Sequence, residues 1–229
     1  MRKINVIKGD IIFQWKYGFY ALYFLMIIIY MVLFSFFEGK IRNIIVDICV
    51  YSDPAAMGMF FMGALILLEK SQRVTNSISI SPVSSKEYIL GKVISIDIIS
   101  EIAGLILISQ GKSENLFLTM IGIFAGSALF SLCGIIVGAK VESLNQYIVW
   151  TVPFEIIGFV PVIAYQIGFL WDNTFMLIHP GCSVMQPICG NGKNIIFSLL
   201  SVILWLIVLF FLAEKAVQKM FRDSSRVKL

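Results

Sequence analysis

The sequence predicts an all-α membrane protein: six transmembrane helices, N and C termini both cytoplasmic, led by an amphipathic N-terminal interfacial helix. Three observations carry that prediction. Of 229 residues, 59% are hydrophobic and 14% charged, whereas ordinary globular domains sit near half apolar and a quarter charged. The apolar residues gather into six segments, each about long enough to cross a ~30 Å hydrocarbon core at 1.5 Å per helical residue. The lysines and arginines are divided unevenly between the two sides that these segments define, 14 against 4. A soluble domain has too little interior to hide this much apolar side chain, so the excess must face lipid. Residues 1–229 read as one membrane domain with no soluble second domain and no internal repeat.

Each element has a local reason. Residues 1–16 place Ile4, Ile7, Ile11 and Trp15 at helical spacing beside Arg2, Lys3, Lys8 and Lys16, the pattern of a helix lying in a membrane interface. Apolar segments follow at 17–37, 48–68, 93–109, 115–139, 148–170 and 195–213. The third is the shortest and carries Asp97 and Glu101. Before it lies the longest polar interval, 69–92, made basic by Lys70, Arg73, Lys86 and Lys92. Pro82 breaks that interval, and Ser84 with Glu87 three residues on can close a capping box. A helix, a Pro-marked turn and a second helix are therefore expected there, in a position to dock on a soluble partner. The fourth segment holds the pairs Gly122/Gly126 and Gly134/Gly138, which let helix backbones approach closely in lipid. Whether they do so within one subunit or between two is open at this stage. The fifth contains Pro153 and Pro161, which free carbonyls and permit a kink. The outer loop 171–194, with Pro180, Gly181, Pro187, Gly190 and Gly192, is expected to form short helices or re-entrant segments.

Orientation follows from the lysines and arginines. With the N terminus inside, 14 of the 18 fall on inner segments, as the positive-inside rule requires. An odd span count would put the basic end of the chain opposite its basic start. The net charge of +4 is a by-product of those segments and suits contact with anionic membrane lipid. No nucleic-acid reading is implied, because no aromatic-interleaved basic patch is present. The first apolar run lacks a small-residue cleavage site and is read as a retained span rather than a signal peptide.

The inventory for catalysis is thin. His179 is the single histidine, which excludes a histidine-based metal site, and its place beside Pro180 suggests a structural role. Gly111-Lys112-Ser113 copies the end of a phosphate loop, but Ile106 stands where the first glycine belongs. No catalytic residue, metal site or cofactor is expected in this chain. Asp53, Asp97, Glu101 and Glu155 lie in or near spans, where carboxyls normally face a partner or a water-filled cavity. Asp53 is placed near the outer end of the second span, shaping its entry. Asp97 and Glu101, four apart on one helix face, are placed to line an inner vestibule or receive a lysine from a neighbouring helix. Glu155, bracketed by prolines, is a candidate gating carboxylate, with a structural hydrogen bond the favoured account. Cys49 and Cys133 read as packing residues. Cys182 and Cys189 share the outer loop, where a disulfide is an option and two free thiols the preferred reading.

Several blocks taken together resemble the membrane subunits of type-2 ATP-binding-cassette exporters. They are Lys8-Gly9-Asp10-Ile11-Ile12-Phe13-Gln14-Trp15-Lys16-Tyr17-Gly18, Ser52-Asp53-Pro54-Ala55-Ala56, Gly63-Ala64 and Leu67-Leu68-Glu69-Lys70. Ser81-Pro82-Val83 and Glu87-Tyr88-Ile89-Leu90-Gly91-Lys92 complete the pattern. The branch it looks closest to is the fluoroquinolone-export permeases. The likeness covers mainly residues 8–92. It implies that 69–92 is a coupling element resting on a separate cytosolic ATPase subunit, which holds ATP and magnesium. Arg73, Val74, Ile78, Ile80, Pro82, Ser84, Glu87 and Tyr88 would make that contact. It also implies that a second permease subunit completes the pathway, in the plasma membrane of a bacterium. Two other readings stand beside it: an immunity or sensory subunit of the same fold acting on a membrane-inserting peptide, and a membrane-embedded enzyme using Glu155 and Asp97.

Overall fold

The computed structural model describes residues 2–111, 115–168, 174–190 and 194–226. Among these, all regular structure is helical: α1 Arg2–Lys16, α2 Phe19–Ser35, α3 Gly39–Ser71, α4 Val74–Ser79, α5 Ser85–Ile108, α6 Leu116–Lys140, α7 Leu144–Gln166, a 3-10 turn Thr174–Ile178, α8 Pro180–Cys189 and α9 Ile195–Arg226. Four of these, α3, α6, α7 and α9, are long and apolar enough to cross a membrane. A fifth crossing arises if the end of α1 and α2 count as one broken span, bent by 67°. That bend falls at Gly18, whose φ of 76° suits a residue without a Cβ. The expected third span, α5, has 24 residues but is not among the candidates, because Lys92, Asp97 and Glu101 are distributed along its length.

α6 is the central helix, packed on α3, α5, α8 and α9. Nearly every residue from Gly122 to Ala139 is buried, and the two glycine pairs explain how. A Cβ on Gly122 would lie 2.8 Å from the Ile188 nitrogen, and one on Gly126 would lie 3.0 Å from Val184. Gly134 is equally close to the Met59 carbonyl, at 2.8 Å, and Gly138 faces Ile66. One pair thus seats α8 and the other seats α3, both within the chain. α7 and α9 lie at the periphery and expose apolar residues such as Val149, Trp150, Ile156, Leu204 and Ile207, as lipid-facing helices do.

Two expected boundaries move. α3 begins at Gly39, so Asp53 lies well inside a 33-residue helix rather than near its outer end. α9 runs on to Arg226, with Ala216, Val217 and Met220 buried. The basic C-terminal segment is therefore a packed helix and not a tail, and it lies against α4 and α5.

At the opposite end, the segment expected as an outer loop forms short helices, although 169–173 and 191–193 lie outside the described residues. His179 caps α8, its Nδ1 accepting from the Cys182 N–H at 3.5 Å, and its ring lies beside the Ile157 backbone. Ile157 is four residues before Pro161, which has no N–H to offer its carbonyl. The Tyr51 hydroxyl donates to the next carbonyl, Gly158, at 2.8 Å. Burial holds His179 below the ordinary histidine pKa, consistent with a neutral ring whose Nδ1 is free to accept the Cys182 N–H. The expected structural role of His179 thus has a stated mechanism.

Candidate functional site

The 69–92 interval folds as its residues suggest. α3 ends at Ser71, and Arg73 turns the chain with a positive φ of 58°. α4 then makes a short helix, and Pro82 stands exposed in the turn before α5. The Ser84 Oγ accepts from the Glu87 N–H at 3.2 Å while Glu87 accepts from the Ser84 N–H at 3.0 Å, completing the capping box. Ile80 is 68% exposed, and Arg73 and Ser84 are also exposed. Val74, Ile78 and Glu87 are partly covered. A cleft of about 460 Å³ opens beside α4, lined by Lys70, Arg73, Asn76, Lys140, Glu142 and Asp223 among others.

Tyr88 is different. It is 2% exposed, and its hydroxyl donates to Glu69 Oε2 at 2.7 Å, so it cannot serve as a surface contact as the resemblance implied. Tyr88 belongs to a buried ionic cluster that sequence reasoning did not find. Lys92, with no exposed surface, donates to Asp10 Oδ1 at 2.9 Å and to Glu69 Oε1 at 2.7 Å, and its ammonium stands 4.9 Å from the Tyr88 ring centre. One turn further along α1, Gln14 donates to Ser95 Oγ at 2.8 Å. Gly91 lets α1 come close, since a Cβ there would lie 2.6 Å from Val6. These contacts fasten α1 to α3 and α5. The missed signal lay in spacing: Tyr88 and Lys92 are four apart, as are Asp10 and Gln14, and each pair shares a helix face.

Lys70, the neighbour of Glu69, closes the next joint. Its Nζ donates to the carbonyls of Gly138, Ala139 and Val141 at 2.8–2.9 Å. An ammonium at the C-terminal end of α6 satisfies carbonyls that have no helical partner and complements the helix dipole. From the other side, α9 brings Glu214 to Lys86 at 3.8 Å and Phe221 edge-on to Tyr88 at 5.3 Å. α4 thus sits on a frame built from α1, α3, α5, α6 and α9.

The intramembrane acids are distributed otherwise than expected. Asp97 is 3% exposed and points into the bundle rather than a vestibule. Its electrostatic neighbours are Ser127 and Glu101, not a lysine. Asp53 is fully buried. Glu101 is half-buried and interacts with the Phe124 backbone. Glu155 is half-buried on α7, with Tyr147 as an electrostatic neighbour. The structure does not bring Glu155 together with Asp97. Cys182 and Cys189 are free thiols. Seven residues apart on α8, they are separated by roughly 10 Å of helix rise, beyond the ~7 Å limit for Cα atoms joined by a disulfide.

Fold and site together define a helical membrane protein with a compact framed platform at one end. The chain is similar to fluoroquinolones export permease proteins from two strains of Mycobacterium tuberculosis, at 26% identity over 144 residues. The match takes in 62% of this chain, which spans 60% of the length of these curated relatives. No family model matches the chain, and no solved structure does.

Proposed function

We propose that this chain is the membrane-spanning subunit of an ATP-driven exporter. The observation that carries the reading is the α4 platform: a short helix packed on α3 and α9, an exposed Pro82 turn and a capped α5 whose lysines pair with α1, α3 and α9. Such a frame passes a displacement of α4 to several long helices at once. The names of the two relatives, both export permease proteins, support the same class.

In this reading the chain crosses the membrane six times, through α2, α3, α5, α6, α7 and α9, with both termini and α4 in the cytosol of a bacterium. α1 lies in the inner interface. A separate cytosolic ATPase subunit binds ATP and magnesium, and it contacts Arg73, Val74, Ile78, Ile80, Pro82, Ser84 and Glu87. A second permease subunit covers the apolar face of α7 and completes the pathway, with Glu155 near that boundary. ATP-driven closure of the ATPases would then bias the bundle between two states through α4.

Changing Ser84 and Glu87 together to Ala tests this reading. Losing the cap weakens the start of α5 by about 1 kcal/mol, too little to unfold the bundle but enough to misplace the contact. The variant should reach the membrane and fold, and it should lose coupling between ATP hydrolysis and export when co-purified with its ATPase in lipid. Intact ATPase binding and stimulation after deletion of residues 74–85 would refute the assignment.

A further inference from the structure

The middle of the bundle holds a chain of three buried hydroxyls from three helices. Tyr23 of α2 and Ser100 of α5 share a hydrogen bond of 3.0 Å, and Ser127 of α6 donates to Ser100 at 3.3 Å. All three are buried, Tyr23 at 2% exposure and the two serines at none. Two carboxyls address this chain from different helices. Asp53 of α3 is an electrostatic neighbour of Tyr23, and Asp97 of α5 is a neighbour of both Tyr23 and Ser127. Neither oxygen of Asp53, 0% exposed, has a hydrogen-bond partner, and Asp97, 3% exposed, has no close one, the Ser127 hydroxyl being the polar group beside it.

Every titratable group around the pair is acidic or neutral. α2 contributes Tyr23 and Tyr30, α3 contributes Cys49, and α5 contributes Glu101. Lys92, five residues before Asp97, is already committed to Asp10 and Glu69. Among the described residues neither carboxyl has an ion-pair partner. Two ionised carboxylates, unpaired and dry in the core of a membrane protein, would each cost many kcal/mol, and groups so placed neutralise instead.

We propose that Asp53 and Asp97, flanking the Tyr23–Ser100–Ser127 hydroxyl chain, form an intramembrane proton-binding site. Each carboxyl carries one proton in the conformation seen. When α3 or α5 moves and water enters, each carboxyl gives its proton to that water, leaving a carboxylate and a hydronium ion. Closing the bundle reverses the exchange. The closed state is therefore favoured as pH falls. Proton binding by these groups does not depend on the cargo or the ATPase.

The test is infrared difference spectroscopy of the full chain in lipid nanodiscs, with proton concentration as the only ligand varied. Protonated carboxyls absorb apart from carboxylates, so each occupied site is read directly. At neutral pH the native chain should show protonated-carboxyl absorption from the bundle core. Asp53→Asn should remove one component, Asp97→Asn the other, and the double variant both. Alkaline titration of the native chain should convert both components to carboxylate as amides of α3 and α5 become exchangeable. Asn resembles a protonated Asp in shape and charge, so the variants should fold; should either fail to, the native titration decides alone. Absence of protonated absorption at neutral pH, or absorption untouched by the Asn variants, would overturn the proposal. So would a carboxylate signal that responds to sodium and not to pH, which would make this a metal-cation site. None of these outcomes bears on the export reading, because no transport or ATP hydrolysis is measured.

Discussion

Replacing Lys92 with Met should release α1 from the bundle. Met keeps the length and apolar stem of lysine but removes the ammonium that Asp10 and Glu69 share at 2.9 and 2.7 Å. Both carboxylates are nearly buried, at 10% and 5% side-chain exposure, so they are left facing one another without compensation. Breaking a buried ion pair from one side costs about 3–5 kcal/mol, which is roughly two to three and a half powers of ten in the unfolding constant. Proton uptake by one carboxyl will recover part of that. The assay is denaturant unfolding in lipid, combined with protease cleavage at Lys16 as a local probe of α1. The triple variant Asp10→Asn, Glu69→Gln, Lys92→Met should recover most of the loss, since replacing the whole cluster with neutral groups removes the stranded charge. By contrast Lys86→Met should change stability by less than about 1 kcal/mol, because the Lys86–Glu214 pair is long and its lysine 60% exposed. A Lys92→Met protein with native stability and a native cleavage rate would refute the view that this cluster holds α1 in place.

Two further predictions rest on different contacts. Gly63→Ala would drive a Cβ into the Tyr147 ring, forcing that ring off its bond to the Met59 carbonyl; unfolding in lipid should show about 1–3 kcal/mol of destabilisation or more, partly recovered by Tyr147→Leu. His179 is held neutral by burial, so the unfolded chain binds its proton more readily than the folded one. Its contribution is complete above the ordinary histidine pKa of ~6.5 and declines as pH falls through that value toward the lower folded one. Amide exchange in α8 should accelerate over that range, and His179→Gln should abolish the pH dependence.

The helices and their local ends were legible in the residues because those signals are local. Composition demanded lipid, the apolar segments fell on helices of which four, α3, α6, α7 and α9, are long and apolar enough to span, and the Ser84/Glu87 cap and Pro82 turn appeared where spacing placed them. His179 beside Pro180 was read as structural, and the structure supplies the reason. The glycine pairs of α6 announced close approach, yet nothing in the pattern told which neighbour they admit; the answer depends on how α3 and α8 wrap around α6.

What the sequence determined by itself was helical class, a membrane setting and the form of the α4 platform, because period, length and capping act within a few residues along the chain. Only the tertiary structure decided which polar groups are internal. Lys92 and Tyr88 looked like solvated members of a basic interval, and they became core because Asp10, some eighty residues away in sequence, arrives with α1 to share the charge. Asp53 and Asp97 were placed at an entry and a vestibule, and both lie near one tyrosine instead because α2 packs on α3 and α5. Burial of a charge depends on partners brought from distant segments, and no local pattern encodes that distance.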